Sequence, residues 1–247
     1  MISKNQIKHI RSLHQAKGRK SSRQFIVEGP KAVAEVLHSD FEVLQVFALP
    51  GWIENQGHLL PQAEQISEKD LHRISNQKQP NQVLAVVQMP EAPTPPDSVE
   101  ELCLVLDTIQ DPGNLGTIIR TADWFGIKQV VCSKETADIY NPKVVQSTMG
   151  SIGRVQVSYT NLPDWLEQIS GKVPVYGTLL NGKNIYASKL QSKALLVIGN
   201  ESKGISDEVA FYISEGIKIP AYGDSETESL NAAVATGIVV ALFRQHP

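Results

Sequence analysis

The stretch CLVLDTIQDPGNLGTIIRTADWF, residues 103–125, changes its period halfway along. Cys103–Leu106 is a short unbroken apolar run, the pattern of a strand buried on both faces. Asp111, Pro112 and Gly113 are turn residues. From Asn114 the apolar residues fall at Leu115, Ile118, Ile119, Ala122 and Phe125, one stripe of a helix, and Gly126 is placed to end it. Asn114 reads as the helix N-cap. Arg120 lies off the stripe. A strand, a polar loop and a helix in that order form the repeating unit of a parallel sheet.

The same alternation continues outward. Strand-like runs recur at 129–132, 173–179, 195–198 and 217–219, with helical patterns at 143–149, 164–169, 207–213 and 229–245. The fold class is therefore α/β, a parallel sheet with helices on both faces. Ligands of such sheets bind beyond the carboxyl ends of the strands, which singles out two more loops. Residues 199–206 read GNESKGIS, with Gly199, Gly204 and the carboxylate Glu201. The second starts after 217–219 and reaches Glu228, Ser229, Leu230 and Asn231, where Ser229 or Asn231 would cap a helix opening on small residues. The 199–206 loop does not have the Walker spacing and the loop after Cys103–Leu106 lacks the GxGxxG fingerprint, which argues against a nucleotide-dependent oxidoreductase.

Residues 89–99, MPEAPTPPDSV, hold four prolines and read as a linker. They divide a small α/β domain (1–88) from a larger one (100–247). The net charge of −3 is unevenly spread. Residues 1–38 carry eight Lys or Arg against two Glu, a balance of +6, which leaves −9 on the remainder. A basic end on an acidic body points to a polyanionic partner, with Lys17, Arg19, Lys20 and Arg23 as the candidate contacts to it. The longest apolar run, 232–243, is too short to span a bilayer. The opening MISKNQIKHIRS lacks an apolar signal region, so a cytoplasmic protein is expected. Cys103 and Cys132 sit in apolar runs and read as inert core residues, and nothing near them has the spacing of a zinc site.

Together the three loops resemble the motifs of the SpoU (TrmH-like) branch of the SPOUT RNA methyltransferases. The matching residues are Asn114, Leu115, Gly116 and Arg120, then Gly199, Asn200, Glu201 and Gly204, then Ile219, Pro220, Ser229, Leu230 and Asn231. Asn141–Lys143 and Met149–Ser151 are similar to the family's middle segment, and SRQFIVEGP (22–30) is similar to its substrate-binding domain. The resemblance implies a C-terminal trefoil knot and a homodimer formed through the C-terminal domain. It implies S-adenosylmethionine as cofactor, with adenosine on backbone around Thr178, Leu179, Gly199, Ile219 and Leu230. It also implies methylation of a ribose 2′-hydroxyl, in ribosomal RNA before transfer RNA. Arg120, Asn114, Glu201, Ser229 and Asn231 would then form the catalytic set, Arg120 acting as base or as electrostatic stabiliser of the attacking oxygen. Because no phosphate is transferred and no water is activated, the chemistry needs no metal. The rival readings are a non-catalytic RNA-binding relative of the same fold and a base-methylating one.

Overall fold

The computed structural model describes residues 2–56, 63–224, 227 and 229–245. The chain forms two units, Met1–Glu91 with Asp138–Arg154, and Ala92–Ala137 with Val155–Pro247. Residues 138–154 thus join the first unit from the middle of the C-terminal sequence, an excursion that no linear reading of composition displays.

The first unit contains α1 (Lys4–Ser12), α2 (Ala16–Ser22), β1 (Gln24–Glu28), α3 (Pro30–Leu37), β2 (Val43–Ala48), α4 (Pro50–Gln56), β3 (Glu64–Gln65), α5 (Glu68–Ile74) and β4 (Val83–Gln88). Its sheet runs β1-β4-β2-β3, with β4 antiparallel to both β1 and β2. Alternation along the strands divides the core. Ile26, Leu84 and Val86 pack with Ile7, Ile10, Leu71 and Ile74 of α1 and α5. Phe25, Val27, Ala85 and Val87 are buried too and point to the opposite face. There the Tyr140 ring, from the inserted segment, lies 4.8 Å from that of Phe25. The α1 start is a full capping box between Ser3 and Gln6. The helix α2 has no counterpart in the sequence reading, because AKGRKSS carries no apolar stripe.

The second unit contains β5 (Cys103–Leu106), α6 (Pro112–Trp124), β6 (Gln129–Ser133), β7 (Gln156–Thr160), α8 (Leu162–Ile169), β8 (Val175–Asn184), β9 (Leu195–Ile198), α9 (Asp207–Ala210), β10 (Glu215–Lys218) and α10 (Ala232–Phe243); α7 (Pro142–Thr148) belongs to the first. All six strands are parallel, in the order β10-β8-β9-β5-β6-β7. The α/β class with a parallel sheet is as the sequence indicates. Cys103, Val105, Leu195 and Val197 pack with α8 and α9. Their neighbours Leu104, Leu106, Leu196 and Ile198 are fully buried and point the other way. On that side Phe243 of α10 meets Tyr176 edge to face, at 5.2 Å, and α10 lies along α6. The proline-rich stretch is held at both ends. Arg23 donates to the Pro90 carbonyl at 3.0 Å in the first unit. In the second, Trp165 Nε1–H donates to the Pro96 carbonyl at 3.0 Å and Val99 is buried in the core. Among the described residues no helix is long and apolar enough to cross a membrane.

Candidate functional site

Because the sheet is parallel, β10, β8, β9 and β5 present their carboxyl ends side by side. The helix that follows β5 begins three residues earlier than its apolar stripe suggests. Asp111, not Asn114, is its N-cap, accepting the Asn114 N–H on its side chain at 2.9 Å, and Pro112 fills the first position. This corrects the assignment of Asn114 as the cap. The correction matters chemically, since a capping amide would be spent on the helix backbone. At the third helical position the Asn114 side chain is free to reach outward.

It reaches two other loops. Asn114 Nδ2–H donates to Glu201 Oε1 at 2.5 Å, and Asn114 Oδ1 accepts Asn231 Nδ2–H at 2.8 Å. Asn231 in turn caps α10, its Oδ1 accepting the N–H groups of Ala233 and Val234 at 3.0 and 3.2 Å. Three residues separated by as many as 117 positions in sequence are thus joined side chain to side chain. Both ends of the Asn114 amide are in use, so its orientation is fixed by the network. Ser229 is exposed and makes no cap. Glu228, quoted with this loop, lies outside the described residues. Arg120 is exposed on α6, six positions beyond Asn114, and the structure does not join it to the three-residue network.

The neighbouring strand ends carry the residues expected to hold a cofactor. The ladder between β8 and β10 pairs Gly177 with Gly216 and then Lys183 with Ile217, so residues 178–182, still within β8, bulge out of that ladder. Thr178 and Leu179 open that excursion and are half-buried. The Thr178 hydroxyl donates its hydrogen to the Val197 carbonyl at 3.3 Å. Gly199 follows β9 directly, and a Cβ there would run into the backbone of Gly204 and Ile205. Gly204 closes the loop with φ of 72°. Ile219 follows β10 and is half-buried; Leu230 is 45% exposed. Partly accessible backbone at three adjacent strand ends, lined by Thr, Leu, Gly and Ile, fits an adenosine better than a polyphosphate. The excursion at 178–182 has no sequence signal beyond Gly182, whose Cβ would strike the Ile217 backbone.

Of the basic candidates, Lys17, Lys20 and Arg23 are exposed. Arg19 is not. It is 2% exposed, pairs with Asp138 at 2.6 Å and donates to the carbonyls of Leu13 and His14, both at 3.1 Å. Its charge is used inside the fold, closing the end of α1, and it is withdrawn from the RNA-contact set. Burial pushes the Cys103 thiol up to about 12 and the Cys132 thiol further, in keeping with inert cysteines. A cavity of about 800 Å³ lies in the first unit, lined by Leu49, Trp52, Ile66 and Gln82 among others, and shares no residue with the network.

Comparison with known proteins places these features in context. Residues 101–241 match the SpoU rRNA Methylase family, and residues 4–85 match the MRM3-like substrate binding domain. The chain is 34% identical over 246 residues to the 23S rRNA (guanosine(2553)-2′-O)-methyltransferase RlmP of Bacillus subtilis, covering 96% of each. A TrmH-family structure from Porphyromonas gingivalis superimposes with a TM-score of 0.89 at 41% identity, over all of both chains. An AdoMet-bound rRNA methyltransferase from Sinorhizobium meliloti does so with a TM-score of 0.87 at 29% identity, covering 100% of this chain and 97% of that one.

Proposed function

The chain belongs to the SpoU rRNA methylase family, and from that premise we propose that it transfers a methyl group from S-adenosylmethionine to a ribose 2′-hydroxyl of ribosomal RNA. The observation that carries this reading is the network of Asn114, Glu201 and Asn231 beside the strand ends. When bound, S-adenosylmethionine supplies an electrophilic methyl on a sulfonium. Backbone at Thr178, Leu179, Gly199, Ile219 and Leu230 would hold its adenosine. The residues have three further tasks: to place the 2′-oxygen in line, to stabilise charge as its proton passes to solvent, and to keep water from attacking in its place.

Arg120 answers the second task. A guanidinium stays protonated in proteins, so it serves better as a cation facing a developing alkoxide than as a base. Its planar fork also suits the neighbouring phosphate. Asn114 and Glu201 orient the ribose, each with hydrogen-bonding capacity beyond the one contact they share. Asn231 ties this pair to the start of α10, and the exposed Ser229 hydroxyl contacts the ribose or the cofactor. The first unit docks the RNA, with Lys17, Lys20 and Arg23 on phosphates. The same reading includes the C-terminal knot and a homodimer.

The test is direct. The purified chain is incubated with methyl-labelled S-adenosylmethionine and ribosomal or transfer RNA, and nuclease digestion with mass spectrometry locates the label. A methyl retained on the sugar of ribosomal RNA is the expected result. Label on a base, label only in transfer RNA, or cofactor binding without transfer would each overturn a stated part of the proposal.

A further inference from the structure

Asp107 directly follows β5 and is 4% exposed. Its Oδ2 accepts two hydrogen bonds from Ser206, from N–H at 2.8 Å and from Oγ–H at 2.7 Å. Its Oδ1 accepts the Thr108 hydroxyl at 3.0 Å. A buried carboxyl needs such donors, since it has no ion-pair partner among the described residues. The arrangement departs from local preference at two points. Ser206 occupies the N-cap of α9 yet makes no side-chain cap, its hydroxyl being turned to Asp107 instead. Thr108 has φ of 60°, a conformation that β-branched residues avoid. Local rules broken in a well-packed region mark places where position matters more than stability.

The strained Thr108 presents its carbonyl to Asn200 Nδ2–H at 2.8 Å, while its N–H donates to Ser133 Oγ at 3.0 Å. Asn200 organises the loop after β9. Its backbone exchanges hydrogen bonds with Gly204, both at 2.9 Å, and its Oδ1 accepts the N–H groups of Ser202 and Lys203 at 3.0 and 3.1 Å. The loop 199–206 is therefore closed on itself and stapled to the end of β5 near both ends, by Asn200 and by Ser206. Glu201 sits between the staples, and Gly199 just before them.

We propose that Asp107 is a positioning residue of the methyl-transfer site, fixing, through Ser206 directly and through Thr108 and Asn200, the loop that carries Gly199 and Glu201 against Asn114 of α6. The proposal rests on the function proposed above, so its test includes a readout that needs neither RNA nor cofactor. In the full chain, Asp107→Ala raises amide hydrogen exchange across 199–206, by roughly tenfold or more, and leaves α10 unchanged. Counted per S-adenosylmethionine-binding site, its single-turnover rate falls on the order of ten- to a hundredfold. Asp107→Asn keeps an oxygen toward Ser206 and restores most of both. A purely structural role would lower the number of binding sites and leave the rate per site intact.

An Asp107→Ala protein with wild-type exchange and a per-site rate within about twofold of wild type would overturn the proposal. So would an Asp107→Asn protein as damaged as Asp107→Ala. Should Asp107→Ala not fold, Ser206→Ala removes a single hydroxyl and is expected to lower the per-site rate about three- to tenfold; an unchanged rate there also refutes the idea. A wild-type chain that methylates no RNA refutes the proposed function alone, and the exchange measurement still decides the loop.

Discussion

At the residue scale, Arg120 and Asn114 share a helix but not a situation. Asn114 is bound at both ends of its amide, whereas Arg120 is exposed and off the buried stripe. Removing Arg120 should leave folding nearly intact, because surface substitutions away from caps and cores commonly change stability by about 0.5 kcal/mol or less. If its charge acts only as the alkoxide develops, Arg120→Ala binds S-adenosylmethionine normally while its single-turnover rate drops by roughly a hundred- to a thousandfold. Arg120→Lys keeps the charge and loses the fork. Partial activity would assign the effect to charge, and none would assign it to bidentate geometry. Turnover of Arg120→Ala within about threefold of wild type would move the role to Glu201, Ser229 or Asn231. The types of these residues were legible in the sequence, and so was their order. Their partners were not: that Asn114 is a bridge and Asp111 the cap depends on where α6 begins, and turn residues followed by an apolar stripe leave that start open by a turn.

At the scale of elements, α2 shows how charge counting misleads. Lys17, Arg19 and Lys20 lie within one seven-residue helix, yet Lys17 and Lys20 face solvent and Arg19 is buried on Asp138. The +6 balance of residues 1–38 treats them alike. Two separable outcomes follow. Replacing Lys17 and Lys20 with Ala should weaken RNA binding and lower the salt slope by about one for each phosphate no longer neutralised, with thermal stability unchanged. Replacing Arg19 with Ala should cost about 2–3 kcal/mol, since the Leu13 and His14 carbonyls lose their donor while the partly exposed Asp138 carboxylate falls back on water, and chemical denaturation would register it. An Arg19→Ala protein of wild-type stability with a reduced salt slope would reverse the assignment. Strands rich in β-branched or apolar residues were readable as elements. The strand β7, QVSYT, was missed because its polar residues dilute the apolar signal, and α2 because its interior partner is a guanidinium rather than a stripe.

At the scale of the whole molecule, the sheet class could be read from strand–helix alternation, but the crossing order β10-β8-β9-β5-β6-β7 could not, because nothing in a strand's own residues names its neighbour. The same holds for residues 138–154, which take α7 into the first unit. What the sequence does carry at this scale is surplus apolar surface. The helix α10 is apolar on every side, and burial of Ala232, Ala233, Thr236, Val239, Val240 and Phe243 accounts for only one of them. Val234 is 53% exposed, Ala241 is exposed, and Ile238 and Leu242 are half-buried. Trp124, at the end of α6 along which α10 lies, is 85% exposed. A helix that is hydrophobic all round is normally buried all round, and in the proposed homodimer a second copy about a two-fold axis would cover this patch. Sedimentation at micromolar concentration should accordingly give twice the monomer mass of 27.1 kDa. Replacing Val234 and Ile238 with Asp should yield a folded monomer, since neither residue is part of the buried side of α10. If α10 is the interface, that variant also loses activity, because Asn231 caps the same helix and any shift of its first turn reaches Asn114 and Glu201. A wild-type chain that sediments as a monomer and methylates at full rate would remove the dimer from the mechanism, and the exposed face of α10 would then need another partner.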